Sequence, residues 1–120
     1  MATIPAEVKN QFMANVIPGE TVLYETYGYD STYVNFYLVV DKTPRTIKVV
    51  KIGQKVTDAM NSLNYDVVAD PSNRSKKVSS MRLSPRSFYK DYRDMHFTNK
   101  QANIEDARIY NGKPVHVDEY

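Results

Sequence analysis

The densest run of chemistry-bearing side chains is RSKKVSSMRLSPRSFYKDYR, residues 74–93. It holds seven cations (Arg74, Lys76, Lys77, Arg82, Arg86, Lys90 and Arg93) against one acid, Asp91. By count that is +6, in a chain whose net charge is +2, which leaves −4 for the rest. Cationic side chains displace the counterions condensed on phosphates, and aromatic faces stack unpaired bases. Here Phe88, Tyr89 and Tyr92 alternate with Arg86, Lys90 and Arg93, so both residue types fall within eight positions. Lys76, Lys77, Arg82, Arg86, Lys90 and Arg93 are therefore the expected phosphate contacts, with Phe88, Tyr89 and Tyr92 the stacking surface. The competing reading is a solvated strand edge that resists aggregation, with its aromatics turned inward.

A second cluster, Tyr24, Tyr27, Tyr29, Tyr33 and Tyr37, is a possible protein-contact face, because tyrosine and arginine dominate interface hot spots. Cross-strand tyrosine pairs that simply stabilise a sheet explain it equally well. The two histidines, His96 and His116, stand twenty residues apart. A metal site would need them to meet beside carboxylates such as Asp94 or Asp118, and nothing in the spacing brings that about. Asp30 and Thr32 fit a turn. The four glycines are dispersed, without a phosphate loop or nucleophile elbow. No catalytic residue, cofactor or metal follows, so the chain reads as a binding protein rather than an enzyme.

Size and composition restrict the setting. With 120 residues, 42% hydrophobic and 25% charged, the chain suits one globular domain. It has no cysteine, which excludes disulfides and thiolate zinc sites and fits a reducing compartment. There is no apolar run of the roughly 20 residues that a membrane helix needs. The opening MATIPAEVKNQF is not a secretory signal, so the expectation is a cytoplasmic protein without a membrane partner.

The elements that must carry these residues are mostly strands. Val8, Phe12 and Val16 recur every four residues, which gives a short helix over 4–16, capped by Thr3. Residues 20–29, 32–41 and 46–52 are rich in Val, Tyr, Thr and Phe and read as a three-strand meander. In its second strand Val34, Phe36, Leu38 and Val40 form the expected core face, with Tyr33, Asn35, Tyr37 and Val39 opposite. Residues 53–64 fit a short helix through Val56, Met60 and Leu63, or a third strand that runs on into a long loop. A short strand at 65–69 should stop at the turn cluster Asp70-Pro71-Ser72-Asn73. Residues 76–84 read as a basic edge strand. Asn111-Gly112 predicts a C-terminal hairpin over 104–118. The fold expected is mainly β (α+β): a small antiparallel, SH3-like, partly open barrel or rolled sheet with one N-terminal helix.

Two segments resemble a family of short, largely uncharacterised proteins carried by bacteriophages, plasmids and integrated elements. They are GETVLYETYGYDSTYVNFYLVV at 19–40 and ARIYNGKP at 107–114. The matching positions are Gly19-Glu20, Gly28-Tyr29-Asp30, Thr32, Phe36-Tyr37, Val39-Val40, Ala107-Arg108 and Gly112-Lys113-Pro114. Tyr27 and Tyr110 stand where that pattern tends to have Trp, and Asn111 where it has Asp. The resemblance implies a mobile-element origin and a bacterial host cytoplasm. It supplies no activity. Two partners are expected as alternatives: nucleic acid, DNA or RNA, through the basic segment; or a host protein complex, blocked by an anti-defence inhibitor. An edge strand also leaves a homodimer open.

Overall fold

The run Tyr33–Val40 is apolar in both registers of the strand alternation, which is how a strand covered on both faces reads. The computed structural model describes residues 6–28, 31–83 and 96–119. Its elements are α1 (Ala6–Ala14), β1 (Val22–Tyr27), β2 (Tyr33–Lys42), β3 (Thr46–Ala59), β4 (Asn64–Leu83), β5 (Phe97–Asn99), β6 (Ile104–Ile109) and β7 (Val115–Asp118). All strand pairings are antiparallel. The order β3-β2-β1-β6-β5-β4 returns to β3 through the β3–β4 hairpin, so six strands close a ring. The fold is thus a small antiparallel barrel with one short helix, and the ring is closed rather than open.

β2 serves two cores. Its Tyr37 and Val39 face the barrel interior with Leu23, Ile47, Val49, Met81, Phe97, Ile104 and Ala107. Met13 and Val16 complete this cluster, and the ring of Phe12 lies 5.7 Å from that of Phe97. The helix that delivers them has Glu7 in its first turn, where a carboxylate suits the dipole. Its C-terminal carbonyl at Met13 accepts a 2.8 Å hydrogen bond from Lys42 Nζ, which ties the helix to β2. On the other side of β2, Val34, Phe36 and Leu38 join Val50, Ile52, Val67 and Val117 in a second cluster outside the ring. The expected division of β2 into one core face and one outer face is therefore corrected: both faces are buried.

The second cluster exists because the β3–β4 hairpin is long and bent. Residues 53–59 form no helix but run on as strand, and 60–63 make a short turn rather than a long loop. β3 continues to Ala59, and β4 returns from Asn64. The turn cluster at 70–73 does not end a strand either; β4 runs through it. Val50 pairs with Val78 and Gly53 with Asp70, so three steps along β3 match eight along β4. The surplus forms a bulge that bends the sheet. Asp70 organises it, accepting from the Ser72 hydroxyl at 2.6 Å and the Ser72 N–H at 3.2 Å. The Ser72 hydroxyl, opposed by partial desolvation, holds the Asp70 carboxyl below its ordinary range. Gly53 lets the bulge sit close, since a Cβ there would lie 2.6 Å from the Asn73 side-chain nitrogen.

Beyond the bend, the outer half of the hairpin folds back over β2. β7 pairs with β4 at residues 64–67, and Asp118 exchanges backbone hydrogen bonds with Thr32 at 2.8 and 3.0 Å. This corrects the expected C-terminal hairpin: β6 pairs with β1 and β5, whereas β7 pairs with β4. The basic strand is also no simple edge, because β3 flanks it and β5 pairs with Arg82 and Leu83. Among the described residues, no helix is long and apolar enough to cross a membrane.

Candidate nucleic-acid interface

Arg82 is the predicted contact that the described structure places best. On β4 it stands between Thr46 of β3 and Thr98 of β5, both directly opposite it in register. Thr46 is held by the β2–β3 turn, where Thr43 Oγ1 lies 2.8 Å from Thr46 Oγ1 and accepts from the Thr46 N–H at 3.0 Å. That turn also presents Arg45, whose N–H donates to the same Thr43 hydroxyl at 3.4 Å. After β5 comes a 3-10 turn, Lys100–Ala102, which Asn99 fixes at both ends of its side chain. Its Oδ1 accepts from the Ala102 N–H at 3.2 Å, and its Nδ2 donates to the Ser80 carbonyl at 2.6 Å. Lys100 is thereby anchored beside β4.

These residues line two adjoining depressions. One, of about 490 Å³, is bounded by Thr46, Ser80, Arg82, Thr98, Asn99 and Lys100; the other, of about 450 Å³, by Lys9, Arg45, Thr46 and Arg82. Thr46 and Arg82 belong to both, so together they form one groove. Four cations and no carboxylate line it among the described residues. Among the described residues the ion pairs are His96–Asp106, Arg108–Asp106 and His116–Asp66, and none takes a cation from the groove. Unpaired cations beside hydroxyl and amide donors suit phosphate oxygens. None of the described residues lining the groove is aromatic.

Lys76 and Lys77 are exposed within the β4 bulge, where the Lys77 N–H donates to Ser75 Oγ at 3.2 Å. Six residues of strand separate Lys76 from Arg82, a reach of at most about 20 Å. Arg86, Phe88, Tyr89, Lys90, Tyr92 and Arg93 lie outside the described residues. The sequence reading missed Lys9, Arg45 and Lys100. They come from three separate segments: Lys9 from α1, Arg45 from the β2–β3 turn and Lys100 from the turn after β5.

The tyrosines do not form one exposed face. Tyr37 is buried at 7% exposure in the barrel core, and burial, followed by the nearby Glu25 carboxylate, pushes its phenol up. Tyr24 packs edge-on against Tyr110 at 5.8 Å. Tyr27 and Tyr33 stack at 5.4 Å, and Tyr27 alone of the large side chains on β1 is exposed. Tyr29 lies outside the described residues. The histidines stay apart: His96 is buried near Asp106 at 3.8 Å, and His116 Nδ1 lies 2.9 Å from Asp66 Oδ1. Among the described residues no cluster of three or more His, Asp or Glu could hold a metal. Asp94 lies outside them. Compared with protein-family models, curated proteins and solved structures, the chain matches none.

Proposed function

We propose that this chain is a non-enzymatic nucleic-acid-binding accessory protein of a phage-like mobile element, acting in the bacterial cytoplasm. The observation that carries the reading is the groove in which Lys9, Arg45, Arg82 and Lys100 converge with Thr46, Ser80 and Thr98 and, among the described residues, no carboxylate. The wider segment adds Lys76 and Lys77 on the bulge, and Arg86, Lys90 and Arg93 in sequence. Phe88, Tyr89 and Tyr92 are the stacking residues of this proposal, which gives it a preference for unpaired strands. The mobile-element origin rests on the sequence resemblance alone.

Binding to labelled single- and double-stranded DNA and RNA tests this. Four phosphate contacts predict that affinity falls on the order of 10²-fold when salt rises from about 50 to 200 mM. Binding that ignores salt, or no binding at the lower salt, overturns it. A second reading, a protein-binding inhibitor of a bacterial defence complex, draws on one observation. Val56, Met60 and Leu63 are exposed near the tip of the bent hairpin, at 57%, 69% and 49%. Capture of an identified host complex after nuclease treatment, lost on Met60→Asp, would favour that reading over the first.

A further inference from the structure

On the far side of the Lys100–Ala102 turn from the basic groove, the barrel opens into a mouth of about 570 Å³. Its wall includes Glu25, Tyr27, Asn35, Tyr37, Glu105 and Asp106, and among the described residues no cation lines it. Glu25 is unusual there: it points inward from β1 and is only 7% exposed. Its Oε2 accepts the Glu105 N–H at 2.8 Å and the Asp106 N–H at 3.0 Å. Those bonds orient the carboxylate and leave Oε1 without a hydrogen-bond partner among the described residues. Among the described residues every fully enclosed side-chain oxygen or nitrogen has a partner, so the unpartnered Oε1 is reached through the mouth that Glu25 lines. At the rim stands Tyr27, 49% exposed, its ring held by stacking on Tyr33.

We propose that this mouth is a binding site for a guanidinium group, with Glu25 as its counter-ion and the Tyr27 ring as its stacking surface. A fixed carboxylate oxygen beside an aromatic face suits a planar, weakly hydrated cation better than a compact ammonium. The volume falls within the range of ligand cavities and admits an arginine side chain with part of its backbone. A nucleobase is the poorer fit. In a nucleotide, Glu105 would repel the attached phosphate. Asp106 adds less repulsion, because Arg108 Nε sits 2.8 Å from its Oδ1. The guanidinium comes either from a free small molecule or from an arginine of a protein partner.

Two-dimensional amide NMR of the whole chain tests the site, with N-acetyl-arginine amide, its lysine counterpart and its neutral citrulline isostere as probes. Arginine should shift the amides of Glu25, Tyr27, Asn35 and Asp106 in the range of about 1 mM, where weak single-group binding falls. Lysine should bind several-fold more weakly and citrulline at least tenfold more weakly. Tyr27→Ala, at an exposed position, should lower arginine affinity several-fold, and Glu25→Gln about tenfold, each with an amide spectrum otherwise retained. Agmatine matching the arginine amide points to a free ligand; a short arginine-flanked peptide binding tighter points to a protein partner. Equal binding of citrulline, shifts centred elsewhere, or shifts at these amides from guanosine monophosphate but not arginine would overturn the proposal.

Discussion

The basic groove and the acidic mouth lie on either side of one 3-10 turn and hold their charges in opposite ways. In the groove, Lys9, Arg45, Arg82 and Lys100 are mobile-length side chains without ion-pair partners among the described residues. In the mouth, one carboxylate is buried and clamped by two backbone N–H groups. The first arrangement would suit a polyanion of any sequence, in binding that weakens with salt. The second is preorganised, so it discriminates among ligands and resists screening. Small barrels therefore need not commit their whole surface to one kind of partner.

The comparison breaks most sharply at Gly28, on the rim of the mouth. Its φ is +121°, and a Cβ would come within 1.9 Å of the Ser31 carbonyl oxygen. Gly28→Ala should cost about 3 kcal/mol of stability, read by denaturant unfolding, since left-handed strain alone is worth 1–3. Below the transition its nucleic-acid affinity should match the wild type. Glu25→Ala should cost about 2 kcal/mol, because two backbone donors lose their acceptor. Glu25→Gln, which keeps an oxygen there, should cost less in the same measurement.

Alkaline pH gives a smaller test of the mouth. The Tyr37 phenol is shifted above its ordinary value near 10, so the fold favours its protonated form. Its contribution is complete below about pH 10 and is lost as pH rises through the folded-state value. Tyrosinate absorbance should therefore lag behind that of the unfolded chain, and Tyr37→Phe should flatten the alkaline fall in stability. Tyr65 and Tyr110 are raised the same way by desolvation and will contribute to the curve. Smallest of all, Tyr27→Ala should lower the melting free energy by about 0.5 kcal/mol, the scale of an exposed cross-strand pair.

Much of the barrel was legible in the chain, and the exceptions share a cause. β1, β2 and the first half of β3 announce themselves by local composition, and the presence of α1 by spacing, although the helix ends at Ala14 rather than 16. Asn111-Gly112 does form its turn: Gly112 has φ +84° and Asn111 Oδ1 accepts the Lys113 N–H at 2.9 Å. The strands leaving it go to different partners, because Tyr110 is drawn to β1, its N–H donating to the Val22 carbonyl at 2.8 Å. Local turn chemistry cannot report that. Nor can it distinguish a terminating cluster from a bulge at 70–73, since both need Asp, Pro, Ser and Asn. The double apolar register of β2 was a signal available in the sequence, and it marks a strand buried on both faces.

For the site, Arg82, Lys76 and Lys77 stood out because charge was counted along the chain. Lys9, Arg45 and Lys100 did not, because they lie in three other segments that only the fold brings to Arg82. Glu25 was equally hidden: in Val22–Tyr27 it reads as an ordinary polar strand residue, and only the barrel turns it inward.

The most direct test of the account is the salt dependence of nucleic-acid binding by an Arg45→Ala/Arg82→Ala/Lys100→Ala variant beside the wild type. Each lost phosphate contact should remove about 0.7–0.9 from the slope of log affinity against log salt. The account predicts a slope shallower by roughly 2 to 3, with thermal stability and arginine binding in the mouth unchanged. An unchanged slope in a folded variant would contradict it and place the functional surface elsewhere on the molecule.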